Sequence, residues 1–427
     1  MKDKISGKKF GAILVVLILV LFGVLGYFIY HSNSYNKSAT NITSNIASNS
    51  TLDKITIDKK AIEVGKRLSN GQCEGEGVPY KLSVSPMKPE DFPYIIPYGL
   101  TVGGHVTPID HQYFPPIIFH SPRDTYEVRA MADSTIVNIQ PRVKSEGTEY
   151  RLHFAVTCTF FYYYDLVTSL SPDIKKIYDD ANGQYKRPVK ISIKAGQVIG
   201  RIGGQTLDYA VWDTTKQLKG FIVPEHYYDA EPWKIYTADP LNYYTDDLKA
   251  LILSKYVRTA EPISGKIDND IDGKLIGNWF QEGTDGYGGA SKTTATKDYW
   301  TGHLAIAPDL YDPSAFIISV GFLASSADNP RNQFSVKRSS LNPSSVGVET
   351  GLVKYELRDW TYLKQDGSPW NNAEFSRGIK LNNENTEIKG CAITQLLETR
   401  KLKFEIFLDK RCENINDFSS SARIYER

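Results

Sequence analysis

Short runs of apolar residues separated by glycine, asparagine, aspartate and proline extend over most of the chain beyond residue 79, a pattern that is typical of β-strands and turns. Residues 125–140 predict two strands. Residues 189–213 predict a hairpin with its turn at residues 194–197, followed by one further strand. Residues 150–165 alternate polar and apolar side chains over their first half and predict a single long strand. The predicted fold class is therefore mainly β.

Two stretches depart from this pattern and carry apolar residues at helical spacing. Residues 54–72 predict a short helix. Residues 240–258 predict a second helix, which Asp239 would cap ahead of a proline at the first helical position. This second helix would close the preceding β-rich domain.

The N-terminus carries an uncharged apolar run at residues 10–30. A run of this length can cross a hydrocarbon core of about 30 Å as a helix. Four lysines lie within residues 1–9, and they predict that the N-terminus is cytoplasmic. We therefore predict a single-pass membrane protein whose remaining chain is extracytoplasmic; a cleaved signal peptide is the alternative.

Residues 31–60 follow this run, and their first part is rich in serine, asparagine and threonine. Such a composition buries too little apolar area to fold, so we predict a flexible stalk. Asn36, Asn41 and Asn49 each begin an N-glycosylation triplet, which suits an extracellular glycoprotein. The alternative is that a polar linker generates such triplets by chance.

The remaining chain divides into two β-rich domains, at residues 75–258 and 262–427. In the second, a Gly-x-Trp occurs in residues 277–280 and an arginine occurs in the closing segment 421–425. These features resemble lipocalin-like barrels, in which the tryptophan plugs the closed end and the arginine packs over it. The resemblance implies an all-β barrel, and the alternative is a β-sandwich with a core tryptophan.

Composition and motifs exclude several classes of function. The chain has 50 basic and 49 acidic residues, so its net charge of +1 provides no field for binding nucleic acid. The four cysteines form no Cys-x-x-Cys, which excludes a zinc ribbon or a thioredoxin motif. No phosphate-binding loop, dinucleotide fingerprint or Gly-x-Ser-x-Gly occurs.

Cysteine spacing predicts two disulfides in an oxidising compartment. Cys391 and Cys412 flank a predicted hairpin and would close a loop that contributes about 3 kcal/mol. Cys73 and Cys158 would form the second pair. The alternative is four buried, reduced thiols.

Two segments resemble the lysostaphin-like zinc endopeptidases. Residues 195–200 (AGQVIG) match the family's closing hairpin, and residues 128–136 match its early hairpin with serine in place of glycine. The resemblance spans about residues 95–215. It implies a compact β-barrel-like or sandwich-like domain of the duplicated hybrid type.

Enzymes of this family bind one zinc ion through His, Asp and His. The resemblance places Asp110 and either His105 or His111 at the first two ligand positions, and it places Asp208 at the third. Adjacent residues on a strand face opposite sides, so Asp110 and His111 could share an ion only where a bend or bulge intervenes. The predicted cofactor is therefore zinc or none.

The family's two accessory histidines are replaced here by Thr206 and Asp165. Loss of both should be severe, since one general acid or base contributes about 10²–10⁴-fold. The leading hypothesis is a degenerate, non-catalytic module that binds a cell-envelope polymer or a partner protein. The alternatives are a divergent zinc metallopeptidase, and binding of a small apolar ligand by the C-terminal barrel.

Overall fold

A computed structural model describes residues 59–76, 80–180, 189–296, 298–324 and 332–427. The predicted membrane span, the three candidate glycosylation sites and nearly all of the predicted stalk lie outside these residues. Within the described ranges, no helix combines the length and the apolar character needed to cross a membrane.

Three α-helices are present in the described ranges: α1 (Lys59–Leu68), α2 (Pro172–Asp180) and α3 (Asp246–Leu253). The helix α1 confirms the prediction for residues 54–72, and its start places the last two residues of the predicted stalk in a helix.

The helix predicted at residues 240–258 is interrupted. Asp239 accepts a hydrogen bond from the Leu241 N–H at 3.0 Å, but it caps only a 3₁₀ turn. Beyond this turn, the carbonyl of Tyr243 and the N–H of Thr245 bond to the backbone of Leu82. These two bonds hold the chain in a strand-like path before α3 begins.

The first β-rich part has two sheets built from ten strands: β1 (Gln112–Phe114), β2 (Tyr126–Arg129), β3 (Ser134–Lys144), β4 (Gly147–Ala155), β5 (Phe160–Val167), β6 (Ser169–Leu170), β7 (Ile191–Ile193), β8 (Val198–Ile202), β9 (Leu207–Asp213) and β10 (Thr237–Ala238). The large antiparallel sheet has the order β1-β9-β5-β4-β3-β7, and β10 also pairs with β9. The small sheet has the order β2-β8-β6.

The strands predicted within residues 189–213 are present, but the predicted hairpin is wrong. The strand β7 pairs with β3 in the large sheet, whereas β8 pairs with β2 and β6 in the small one. The turn between them is bound elsewhere: the Gly196 N–H donates to the Ala130 carbonyl, and the Ala130 N–H donates to the Gln197 carbonyl. Gly196 has a φ of 81°, which suits glycine. The turn thus carries the chain from one sheet to the other.

The single strand predicted at residues 150–165 is instead the β4–β5 hairpin. Its turn is held by the Thr157 hydroxyl oxygen, which accepts hydrogen bonds from the backbone N–H groups of Thr159 and Phe160. Cys158 in this turn forms a disulfide with Cys73, as predicted. The continuous run of aromatic residues concealed this turn because both arms are buried.

The large sheet is covered on both sides, which explains why β5 and β9 are almost entirely buried. Tyr162, Tyr164 and Tyr209 contribute to the core on one side, which we call the first face. Tyr163 and Trp212 contribute to the core on the opposite side, the second face. The three consecutive tyrosines of β5 are therefore core residues.

The C-terminal part contains ten strands: β11 (Gly277–Gln281), β12 (His303–Pro308), β13 (Phe316–Val320), β14 (Gln333–Val336), β15 (Val353–Arg358), β16 (Thr361–Leu363), β17 (Lys380–Asn382), β18 (Ile388–Glu398), β19 (Lys401–Leu408) and β20 (Arg423–Glu426). Eight of them form a closed antiparallel barrel, from which the β16–β17 pair is separate. An all-β fold is therefore observed for this part.

Trp279 of β11 is fully buried, and the guanidinium carbon of Arg427 lies 3.9 Å from the centre of its ring. The expected arginine over the tryptophan is thus present, but it follows the last strand. Arg423, which lies in the segment singled out from the sequence, instead packs over Phe322. Cys391 and Cys412 form the second predicted disulfide, next to the β18–β19 hairpin.

Candidate functional site

Asp110 and His111 lie in a bend that leads into β1, so both side chains can face the same side. The His111 Nδ1 atom is 3.4 Å from Asp110 Oδ1, and its Nε2 atom is 3.4 Å from Asp208 Oδ2. The Tyr113 hydroxyl is 3.1 Å from the same Nε2 atom. The fold therefore brings together three of the residues predicted from the sequence, with the imidazole between two carboxylates.

Lys234 provides a cation beside these groups. Its ammonium lies 3.2 Å from Asp110 Oδ1 and 3.3 Å from Glu231 Oε2, and its side chain is only 3% exposed. The Trp233 indole N–H donates to the other Asp110 oxygen at 3.1 Å. The ammonium also lies over the Tyr287 ring, 4.7 Å from its centre. Asp110 is therefore balanced by a protein cation.

Asp165 is directly opposite Asp208 across the β5–β9 pair, and both carboxylates are buried. Arg151 lies where the β4–β5 register shifts, and its Nε and Nη2 atoms approach Asp165 Oδ2 at 2.7 and 2.6 Å. Arg142 of β3 donates to the other carboxylate oxygen. The sequence resemblance aligns Asp165 with an accessory histidine of the peptidase family. In this chain the residue is instead a carboxylate paired with two arginines.

Protonation differs sharply between these neighbouring carboxyl groups. Burial raises the pKa of Asp208 to about 7, although His111 opposes this effect. Burial also favours a higher pKa for Asp110, but Lys234 and His111 outweigh it, so the pKa of Asp110 lies below its usual value. Burial is likewise outweighed at Asp165, where Arg151 and Arg142 lower the pKa.

The two other predicted residues lie at the edge of this arrangement. His105 is exposed, and its ring centre is 6.1 Å from that of His111. The Thr206 hydroxyl lies 3.4 Å from Asp208 Oδ1. Neither side chain combines with Asp110, His111 or Asp208 to direct three metal-donor atoms at one point.

A small cavity of about 40 Å³, enough for a few water molecules, lies next to Asp110 and His111. Tyr287 and Tyr299, from the segment between β11 and β12, form part of its wall. His153 also lines it, and neither ring nitrogen of this buried side chain has a partner among the described residues. Burial lowers the pKa of His153 to about 3, so its ring is neutral.

These residues do not fit a zinc ion. A catalytic zinc needs three protein donors directed at one point, with a further position for water. Here the His111 ring occupies the space between Asp110 and Asp208, and the Lys234 ammonium carries the positive charge. Within the described part of the chain, no three His, Cys, Asp or Glu side chains are arranged to hold a metal ion.

Lys234, Glu231 and the two arginines were not identified from the sequence. Lys234 and Glu231 come from an irregular segment with 3₁₀ turns, where no periodicity shows which side chains face inward. Arg151 lies within a predicted strand and Arg142 lies two residues beyond one, and strand alternation could have placed them only after the pairing was known.

No protein-family model and no curated protein matches the chain. Among solved structures, the chain is similar to Helicobacter pylori Csd3 from a hexagonal crystal, with 18% identity over 32% of this chain and 31% of that chain and a TM-score of 0.21. The match to Csd3 from an orthorhombic crystal has 15% identity over 41% of this chain and 40% of that chain, with a TM-score of 0.22. The solution structure of lysostaphin gives 12% identity over 80% of this chain and 90% of that chain, with a TM-score of 0.23. In the two Csd3 matches the chain thus spans between about a third and two fifths of the length of Csd3.

Proposed function

We propose that this protein is a non-catalytic binding module of the cell envelope, anchored by its N-terminal apolar run, whose peptidase-like site has become a fixed ion-pair network. The observation that carries the proposal is the buried Lys234 ammonium between Asp110 and Glu231. A lysine at this place supplies the charge that a metal ion would otherwise supply, but it cannot activate a water molecule as a Lewis acid does.

Access to the site supports the same proposal. Asp110, His111 and Asp208 are each less than 8% exposed, and Tyr287 and Tyr299 line the adjoining cavity. A cavity of about 40 Å³ holds water but no peptide. The module would therefore bind its polymer or partner protein on another surface.

Metal analysis and a hydrolysis assay test the proposal. The purified full-length chain, incubated with zinc and then desalted, should retain much less than one equivalent. It should also leave peptidoglycan-type peptides uncut under conditions where lysostaphin, as a positive control, cleaves its substrate. One equivalent of zinc that is lost in Asp208→Ala, together with hydrolysis that is abolished in Asp110→Ala, would contradict the proposal and establish a metallopeptidase.

The hypothesis of an apolar ligand inside the barrel gains no support from the packing. Trp279, Leu304, Ile318, Leu402 and Phe404 belong to one cluster of buried side chains contributed by its strands. Interior positions of small barrels are commonly filled in this way. A ligand of this domain would have to bind on the outer surface of the barrel.

A further inference from the structure

A cleft of about 690 Å³ lies between the segment around residues 94–102 and the outer surface of the barrel. Six rings line it, and we call it the aromatic cleft: Tyr94, Tyr311, Phe334, Trp360, Tyr362 and Trp370. Its volume falls within the range of about 300–1,000 Å³ that is typical of ligand sites. It shares no lining residue with the cavity next to His111.

The rings of the aromatic cleft are held in place before any ligand binds. The Trp370 ring centre lies 5.4 Å from that of Tyr94 and 5.5 Å from that of Tyr311, each in an edge-to-face arrangement. The Tyr362 hydroxyl donates to Asp309 at 2.6 Å. Because these rings are already ordered, a ligand would lose little free energy by fixing them.

Charged groups at the rim give the aromatic cleft an excess of negative charge. Asp359, Glu387 and Asp409 line it together with a single lysine, Lys389. Lys389 lies 3.7 Å from Asp359 and also bonds to Glu387, so it is shared between two carboxylates. An adjoining groove shares Glu387 and Asp409 with the cleft, and it is lined by three basic residues that do not line the cleft itself: Arg358, Lys410 and Arg411.

We propose that the aromatic cleft binds an extended peptide segment of a partner protein through its lysine or arginine side chains. Carboxylates attract cations, and so do aromatic rings such as those of the part-exposed Trp360 and Tyr362, so two separate features of the cleft favour the same ligand. A purely apolar ligand would desolvate the rim carboxylates without compensation. An anionic polymer would be repelled. This inference rests on the proposed role as a binding module and names the class of partner.

Calorimetric titration of the full-length chain in a non-ionic detergent, with N-acetyl-Gly-Lys-Gly-Lys-Gly-amide as the probe, tests the proposal. The test variant combines Glu387→Gln with Asp409→Asn, which removes two carboxylates and keeps their shape. Asparagine tolerates the positive φ of 58° at Asp409. We expect the wild-type chain to bind this peptide, more weakly as salt is added, and the variant to bind about 10-fold more weakly.

The matched control combines Glu282→Gln with Glu398→Gln. It removes the same net charge beside Lys401, where β18 ends and β19 begins, whereas Glu387 and Asp409 flank the other ends of these strands. The control should bind the peptide like the wild-type chain, and the melting temperatures of both double variants should stay within a few degrees of the wild-type value.

Three results would overturn the proposal. One is no detectable binding of the lysine peptide at millimolar concentration. Another is an equal loss of affinity in both double variants, which would reflect net charge alone. The third is binding of neutral chitotetraose, but not of the lysine peptide, which would assign the cleft to a saccharide. Metal content measured on the same preparation separates these results from a failure of the proposed function, because zinc would bind at the other site.

Discussion

The second face of the large sheet and the interior of the barrel bury side chains of opposite chemistry. The sheet buries a lysine, an imidazole and several carboxylates within a few ångströms of one another. The barrel encloses aliphatic and aromatic side chains around Trp279. Buried charges are costly unless they are paired, so stability in the first region depends on matched partners, and in the second it depends on filled volume. Substitutions in the two regions should therefore lower the stability of the protein for different physical reasons.

The largest effect is expected from Lys234→Met. This change removes the cation but leaves Asp110 and Glu231 buried, which typically costs about 3–5 kcal/mol. Urea denaturation followed by tryptophan fluorescence should show a lower free energy of unfolding. The double variant Lys234→Met with Glu231→Gln should recover part of the loss. An unchanged midpoint in the single variant would contradict the role assigned to Lys234.

Leu304→Ala tests the barrel. Leu304 is fully buried in the interior cluster, so truncation removes apolar contacts and leaves a cavity, at a cost of about 3 kcal/mol. Differential scanning calorimetry at each pH should show a melting temperature below the wild-type value, and this difference should depend little on pH between pH 4 and pH 7. A strongly pH-dependent loss would show that the two regions do not differ as described.

The pH dependence of stability should further distinguish the charged second face of the large sheet from the apolar interior of the barrel. Because the folded-state pKa of Asp208 is raised to about 7, this group binds a proton in the native state at a pH where it loses one on unfolding. Its contribution to stability should therefore fall as the pH rises from about 4 to 7, by at most about 1.4 kcal/mol per pH unit.

Asp208→Asn should remove this slope while His111, Asp165, Arg151 and Arg142 remain. The free energy of unfolding, measured by urea denaturation at several pH values, is the relevant quantity. Parallel pH profiles for the wild-type chain and for Asp208→Asn would refute this assignment.

The smallest effect is expected from Lys216→Met. Lys216 lies 3.3 Å from Asp213, but its side chain is 68% exposed, so the pair should contribute less than about 1 kcal/mol. Because the same substitution at Lys234 should cost several times more, this variant is its matched control in the urea experiment. Equal losses at the two lysines would show that burial does not determine the cost.

The local alternation of polar and apolar residues predicted the positions of the strands better than it predicted which strands pair with each other. Gly196 and the alternation on either side of it identified β7 and β8 correctly. Alternation carries no information about which of several strands will lie alongside, and here the turn between β7 and β8 bonds to the backbone of Ala130 while the two strands pair in different sheets. The β4–β5 hairpin was missed because both its arms are buried, and their polar-apolar alternation therefore fades.

For the site, the sequence brought Asp110, His111 and Asp208 into one hypothesis, and the structure places them in contact. The sequence did not show which basic side chains would neutralise these buried carboxylates. Lys234 and Arg151 belong to segments that are distant in the chain, and nothing in their local sequence marks them as buried. Because the sequence analysis considered only the expected metal ligands, it suggested a zinc ion at the place where the fold supplies the ammonium group of Lys234.

The bond between Cys73 and Cys158 bears on how this protein would withstand mechanical tension. Any pull transmitted from the residues that precede α1 can unwind this helix and the residues after it only as far as Cys73. From there the load passes covalently to the corner of the β4–β5 hairpin, in the middle of the large sheet. Tension would then act on the central β4–β5 pair and, through it, on the ladders that these two strands form with β3 and β9.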